Sequence, residues 1–382
     1  MKRTTQELSG TKKKTGKVLA GLAALSLLLT GCQGQAASQA TSSGTAAAET
    51  TTAAAETSAA AATESTAAAS SQADGSTTVS GASFTVGVIQ FAEHGSLDNC
   101  YQGLIQGLAD NGYVEGQNLT VDLQNANADT NVANQMAQNF VSKGYDLIVG
   151  IATPAAQAAY NAAKEDGIPV LFTAVTDPVA ASLQNADGSN LTGVTGTSDA
   201  LPVESQLKMI RAMLPDAKTI GILYNTSETN SVSAVARYEE LADQYGFTIE
   251  SKGVASASEI PMAADAILRD VDCLSNLTDN LVVQNLPVIV NKADAAGIPY
   301  FGSEVEQVVN GCVAAEGLDY VSLGNITGQM GAEILSGARA EDIPVSTIEA
   351  ASFSYNSTVL EKLGLSVPAD YAADATDVAS EN

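Results

Sequence analysis

The chain has a single histidine, in FAEHGSLD at residues 91–98, where it follows an acid. Glu93-His94 is the pairing that acid–base chemistry would use. Adjacent side chains point different ways, however, and one histidine cannot complete a triad on its own. No nucleophile loop of the GxSxG type is present, and neither GxxxxGK[ST] nor GxGxxG occurs to cradle a phosphate. His94 therefore reads as structural or as part of a ligand rim. The chemistry this sequence offers is binding chemistry, carried by polar loops that follow apolar runs. ATPAAQ at 152–157 places Thr153 as the N-cap and Pro154 as the first residue of a helix, which leaves free backbone N–H groups and the positive helix end for an anion. AVTDPVAA at 174–181 repeats the arrangement, with Asp177 ahead of Pro178. In the second half, NTSETNS at 225–231, LTDN at 277–280 and GSE at 302–304 occupy comparable places. Asp279 and Glu304 are candidates for a ligand ammonium or, equally, helix caps.

Those loops need elements to hold them. From residue 84, short β-branched runs alternate with helical segments: runs at 84–90, 119–123, 146–151 and 168–172, with a helix face at Tyr101, Leu104, Ile105 and Leu108 and a helix opened by Pro154. Strand–helix–strand in this rhythm predicts right-handed crossovers and a doubly wound parallel sheet. The order then recurs. TIGILYN at 219–225 follows the pattern of TVGVIQF, and GIP stands at both 167–169 and 297–299. The offset is 134 residues from Gly87 to Gly221 and 130 from Ile168 to Ile298. The fold class expected is α/β, as two Rossmann-like lobes with parallel sheets and a ligand cleft between the carboxyl ends of their strands.

Composition narrows the function. There are 382 residues, 17 basic and 43 acidic, with net charge −26 and no Trp. Phosphate contacts need cations, so nucleic acid is an unsuitable partner, as is an anionic membrane surface. Cys100, Cys273 and Cys312 lie in the body without a CxxC spacing, which argues against zinc and thioredoxin-like chemistry. They read as small buried hydrophobes, and no metal or cofactor is expected.

Neither end of the chain reads as fold. Six cations precede an uncharged stretch of 14 residues, 18–31, too short to span a bilayer and suited to a signal peptide. It ends on LTGC, residues 29–32. From 33 to 82, 37 of 50 residues are Ala, Ser or Thr, which predicts a disordered tether. Cleavage before Cys32 would sharpen the net charge from −26 to −31. Residues 369–382 are acidic and core-poor and are expected to be frayed.

LTGC after the apolar stretch resembles the bacterial lipoprotein signal, which implies acylation of Cys32 and anchoring to the outer face of the cell membrane. Residues 84 to about 365 resemble substrate-binding lipoproteins of ABC importers, of the tryptophan- and tyrosine-binding type. The likeness rests on VGVIQFAEH (86–94), GYVEGQN (112–118), IATPAAQAA (151–159), VLFTAVTDPVAA (170–181), VTGTSD (194–199), LPDAKTIGILYN (214–225) and TDN (278–280). It implies a type I periplasmic-binding-protein fold with three hinge crossings. The N-lobe would take 84–195 plus about 312–338, and the C-lobe 196–311 plus about 339–368. By resemblance Thr153 and Thr176 would hold an amino acid carboxylate, Asp279 its ammonium, and Phe91 and Tyr224 would flank an aromatic side chain. Glu93, Ala174, Asp177, Asn225, Asn280 and Glu304 complete the candidate ligand set. The sequence departs from the family at DCLSNLTDN (272–280), where Cys273 and Ser275 replace large aliphatics. The expected role is capture of an amino acid by lobe closure and delivery to an ABC permease by a monomer that does no chemistry. The same fold binding a sugar or nucleoside through Asn225, Asn280 and Asp279 is the alternative, and an anchored hydrolase a remote one.

Overall fold

The alternating pattern resolves into two parallel sheets, each with its own core. A computed structural model of the chain describes residues 82–348 and 351–381. The expected leader, Cys32 with its expected acylation and nearly all of the expected tether therefore lie outside the described residues. Among the described residues no helix is long and apolar enough to cross a membrane.

The first half runs β1 (Phe84–Gln90), α1 (Gly95–Asp110), β2 (Leu119–Asn125), α2 (Thr130–Lys143), β3 (Leu147–Ile151), α3 (Thr153–Ala163), β4 (Val170–Thr173) and β5 (Val194–Ser198). The second follows as α4 (Val203–Met213), β6 (Thr219–Asn225), α5 (Thr229–Leu241), β7 (Thr248–Val254), α6 (Ile260–Ile267), β8 (Cys273–Ser275), α7 (Asn280–Gln284), α8 (Leu286–Ala296), β9 (Tyr300–Phe301), α9 (Val305–Val309) and β10 (Ala314–Gly317). The chain then returns through α10 (Tyr320–Leu335) and β11 (Ser346–Thr347) before β12 (Ser352–Tyr355), α11 (Ser357–Leu363) and β13 (Thr376–Asp377).

The sheet orders are β11-β5-β4-β3-β1-β2 and β7-β6-β8-β9. Read from β2 and from β7, the two halves have the same order, and Gly87 and Gly221 occupy equivalent strands. The internal repeat in the sequence is thus a repeat of topology. β8, despite Cys273 and Ser275, keeps its register, with Ile220 opposite Cys273 and Gly221 opposite Leu274. β10 continues the second sheet through Val313 N–H to Tyr300 C=O at 2.8 Å and Gly302 N–H to Ala314 C=O at 2.9 Å.

The lobe boundaries differ from those expected. Cys312, Val313, Ala314 and Ala315 pack in the second lobe's cores, because β10 bonds to β9. Ala340 and Ile343 pack in the first, because β11 pairs with β5. The chain crosses between lobes after β5, after β10 and after β11. Nor is the stretch after 368 frayed throughout. Thr376 and Asp377 pair with Ser354 and Tyr355, Tyr371 packs on Phe353 at 4.8 Å between centroids, and Val378 is buried. A few well-placed apolar residues suffice to dock this tail on a sheet edge. Cys100, Cys273 and Cys312 are buried free thiols, and burial pushes all three thiol pKa values up.

The closest helix packing in the first lobe holds two pieces of the site. α1 and α10 meet backbone to backbone through Gly103, Gly107, Gly324 and Gly328. A Cβ on Gly107 would lie 2.2 Å from the Asn325 carbonyl oxygen, and one on Gly324 would lie 2.1 Å from that of Cys100. His94 caps the start of α1, and Tyr320 opens α10, so this contact sets the spacing between them. Gly107→Ala is expected to destabilise the protein by about 1–3 kcal/mol, since the helices must separate to admit a methyl group. A urea unfolding midpoint equal to that of the parent would contradict the packing described.

Candidate functional site

The carboxyl ends of both sheets face one narrow cavity. From the first lobe His94, Ala152, Ala174, Asp199 and Tyr320 reach it, and from the second Asn230, Thr278, Asn280 and Glu304. Ala152 and Ala174 follow the strand ends of β3 and β4 with φ of 78° and 54°. Left-handed backbone at a residue other than glycine is strained, and two such residues beside one cavity mark a functional wall.

The lobes are joined directly around this cavity. Ser96 Oγ donates to Glu304 at 2.8 Å and to Glu306 at 3.0 Å, and Asn99 Nδ2 donates to Glu306 at 2.6 Å. Thr176 and Thr278 hydroxyls meet at 3.1 Å, and Ser233 Oγ donates to Asp177 at 2.5 Å. This is a closed arrangement.

Its electrostatics are one-sided. Asp199 is buried, accepting from Thr176 Oγ1 at 3.1 Å and Tyr320 OH at 2.9 Å. Burial, with the nearby Glu304 charge adding to it, pushes the Asp199 carboxyl up to about 7. Glu304 is buried too and raised by that burial, although Ser96 and Gln307 donate to it. Asn230 Oδ1 is a buried acceptor without a partner. No lysine or arginine lines the cavity. Two carboxyls and a bare amide oxygen around one small space form an acceptor set for a cation, and an ammonium with three N–H donors matches it. On the opposite chemical side, Thr153 Oγ1 is buried without a partner at the start of α3. The first-turn N–H groups and a free hydroxyl there suit a carboxylate.

This arrangement has a pH signature. Unfolded, Asp199 titrates near 3.8; folded, near 7. Between those values the folded state holds the extra proton, so the contribution of Asp199 to ligand-free stability is lost as pH rises through that window. Asp279, raised to about 7 by burial and then by the Glu228 charge, acts in the same direction. Asp199→Asn should flatten the fall in melting temperature between about pH 5 and pH 8 relative to the parent. Parallel melting profiles for the two proteins would contradict the assignment.

The structure sorts the residues singled out in the sequence. Ala174, Asn280 and Glu304 line the cavity, as does His94. Thr153 is the first residue of α3 and not its cap; Ala152 caps it with φ 78°, which frees the Thr153 hydroxyl. Asp177 opens a turn instead of a helix, accepting from Ala180 N–H at 2.9 Å, because β4 leads into a tight loop. Thr176 and Asp177 link the lobes. Asp279 is consumed structurally: its two oxygens accept Val282 N–H at 2.8 Å and Asn225 N–H at 2.5 Å. It caps α7 and is not among the cavity walls. Asn225 bonds Glu228 at 3.1 Å within its own loop. Phe91 is buried in the first core. Tyr224 packs toward Gly253 on the neighbouring strand and against the second core. Neither ring is among the cavity walls. Glu93 is exposed on an outer pocket.

Sequence reasoning missed Asp199, Glu228, Asn230 and Tyr320. Asp199 closes VTGTSD at the end of β5, where a strand-end acid was a readable signal. Tyr320 comes from a return crossing that no local pattern ties to the cleft.

A family model described as ABC transporter substrate binding protein matches residues 85–379. The chain is 39% identical over 280 residues to a tyrosine-binding protein of Clostridioides difficile, a match covering 73% of this chain and 81% of that protein. It is 34% identical, with a TM-score of 0.75, to the ABC domain in complex with L-Trp from Streptococcus pneumoniae, covering 78% of this chain and 99% of that one. Against the ligand-free, open structure of a substrate binding protein with adhesive properties from Clostridium difficile, identity is 37% and the TM-score 0.59, over 77% of this chain and 99% of that one. Identity and coverage barely differ between the two structures. The better superposition on the complex than on the open form agrees with the closed lobe arrangement described above.

Proposed function

Since this chain belongs to the family of ABC transporter substrate binding proteins, we propose that it captures a free amino acid with an aromatic side chain, tyrosine or tryptophan, and delivers it to a permease. The observation that carries this reading is the acceptor set around the cavity. Asp199, Glu304 and Asn230 Oδ1 offer acceptors to a cation, and next to Ala152 on the cavity wall the Thr153 hydroxyl and the start of α3 offer donors to an anion. An α-amino acid is the small molecule that brings both charges on adjacent groups. A neutral polyol would leave the two buried carboxyls uncompensated. The relatives named for tyrosine and solved with L-Trp support an aromatic side chain.

Binding proceeds without chemistry. Closure is favoured by what the ligand touches in both lobes: Thr153 and Asp199 on one side, Glu304 and Asn230 on the other. His94, the one histidine, is engaged with an amide and not with a hydroxyl or thiol nucleophile. The protein acts outside the cytoplasm as a monomer, anchored through acylated Cys32, with residues 33–82 as the tether. Mass spectrometry of the amino-terminal peptide, with and without a lipid on Cys32, tests the anchor.

Because the chain has no Trp, bound L-tryptophan reports on itself. Excited near 295 nm in excess protein, its emission should shift to the blue and titrate to a one-to-one end point. Unchanged emission, together with no heat of binding for L-tyrosine, would overturn the aromatic reading.

A further inference from the structure

We propose that His94 selects the ligand by its side chain: imidazole Nδ1 is an acceptor reserved for an O–H or N–H at the far end of an aromatic ring, so that tyrosine and tryptophan are held in preference to phenylalanine. The inference rests on the amino acid reading above and names the residue that sets its specificity.

Glu228 Oε2 accepts from Asn280 Nδ2 at 2.6 Å, which fixes the orientation of the Asn280 amide. The amide oxygen, Oδ1, therefore faces His94 Nε2, at 3.4 Å. An acceptor at that point requires Nε2 to carry the hydrogen. Burial lowers the imidazole pKa, and the residue caps the positive end of α1, so the ring is neutral near pH 7. A neutral ring with hydrogen on Nε2 has a bare lone pair on Nδ1. That atom is buried and has no partner.

The position of the ring supplies the ligand group. His94 belongs both to the inner cavity and to an outer pocket in which Val283, Leu286 and Pro287 stand beside the polar Gln284, Glu306 and Asn310. The three N–H donors of an ammonium are already matched by Asp199, Glu304 and Asn230 Oδ1. Nδ1 is left for a donor elsewhere on the ligand, where His94 stands between the inner cavity and the outer pocket. A phenol hydroxyl or an indole N–H is such a donor, and a benzyl group has none. A site built to hold a donor discriminates against the analogue that lacks it, since the buried acceptor is then left unpaired.

Calorimetric titration of the full-length protein with L-tyrosine, L-tryptophan, L-phenylalanine and O-methyl-L-tyrosine tests this. L-Tyrosine should bind roughly tenfold or more tighter than L-phenylalanine and than the O-methyl ether, which keeps the oxygen and loses the donor. Two variants separate the nitrogens. His94→Gln can keep a donor toward Asn280 but has nothing at the Nδ1 position; it should lose about tenfold for L-tyrosine and stay within about threefold for L-phenylalanine. His94→Asn, which places an oxygen near the Nδ1 position, should recover part of the loss. If the parent binds tyrosine, phenylalanine and the ether within about threefold, the inference fails while the amino acid reading stands. Equal losses for tyrosine and phenylalanine in His94→Gln also overturn it, since they mean general support of the site. No binding of any aromatic amino acid overturns the reading beneath it as well.

Discussion

Asp199→Asn should cut the affinity for L-tyrosine and L-tryptophan by about 2–5 kcal/mol, a factor of roughly 30 to 4,000. Asp199 is buried, shares the cavity with Glu304, and is held in place by Thr176 Oγ1 at 3.1 Å and Tyr320 OH at 2.9 Å. In the proposed complex it provides the charge opposite the ligand ammonium, in a space with water largely excluded. The amide keeps the shape and loses the charge, so the ammonium is buried with Glu304 alone. Glu304→Gln should have an effect of the same order. The two substitutions together should cost less than their sum, because one ammonium couples both. Without ligand, Asp199→Asn should fold as well as the parent or better above about pH 7, since it removes a carboxyl that burial disfavours in its ionised form. Isothermal titration and thermal melting on the same samples check both halves. Unchanged affinity in both variants would place the ammonium elsewhere.

The second large effect is on stability. The Glu228 carboxylate, buried at the start of α5, accepts five hydrogen bonds: Asn280 N–H at 3.1 Å, Leu281 N–H at 3.1 Å, Asn280 Nδ2 at 2.6 Å, Asn225 Nδ2 at 3.1 Å and Asn230 Nδ2 at 3.3 Å. It ties the loop after β6 to the start of α7. Glu228→Ala leaves two backbone and three amide donors without that acceptor and should destabilise the second lobe by about 3–5 kcal/mol. Glu228→Gln should not rescue it, because one end of its amide turns donors toward donors. Ligand affinity should fall as well, since Asn280 and Asn230 both line the cavity and Asn280 orients His94. Urea unfolding followed by circular dichroism measures the first effect. A midpoint equal to that of the parent would show that water replaces the carboxylate without penalty.

Much of the fold is legible in the sequence. The two lobes followed from strand–helix alternation and from the near-constant offset between Gly87 and Gly221 and between Ile168 and Ile298, because a parallel sheet writes its period and its breaks directly into the chain. The location of the site followed too, since polar loops after buried strands have one edge on which to gather. Glu304, Asn280 and Ala174, singled out from loops that follow strands, line the cavity, as does His94, which the sequence marks as structural or part of a ligand rim.

What each polar side chain does was decided by tertiary structure. Asp279 and Glu228 look alike in sequence to Asp199 and Glu304: four acids at or near strand ends or helix starts. Two are held by backbone and amide donors of their own lobe away from the cavity, and two, held by Thr176, Tyr320, Ser96 and Gln307, line it. That difference depends on which N–H groups from distant segments arrive within 3 Å, and local pattern carries no record of it. Phe91 and Tyr224 illustrate the same limit. A one-position change of facing along a strand sends a side chain to the core or to the cleft, and only the packed sheet fixes which. The sequence determined two lobes and the polar loops that meet at their cleft; the fold chose which of the carboxyls on those loops line the cavity.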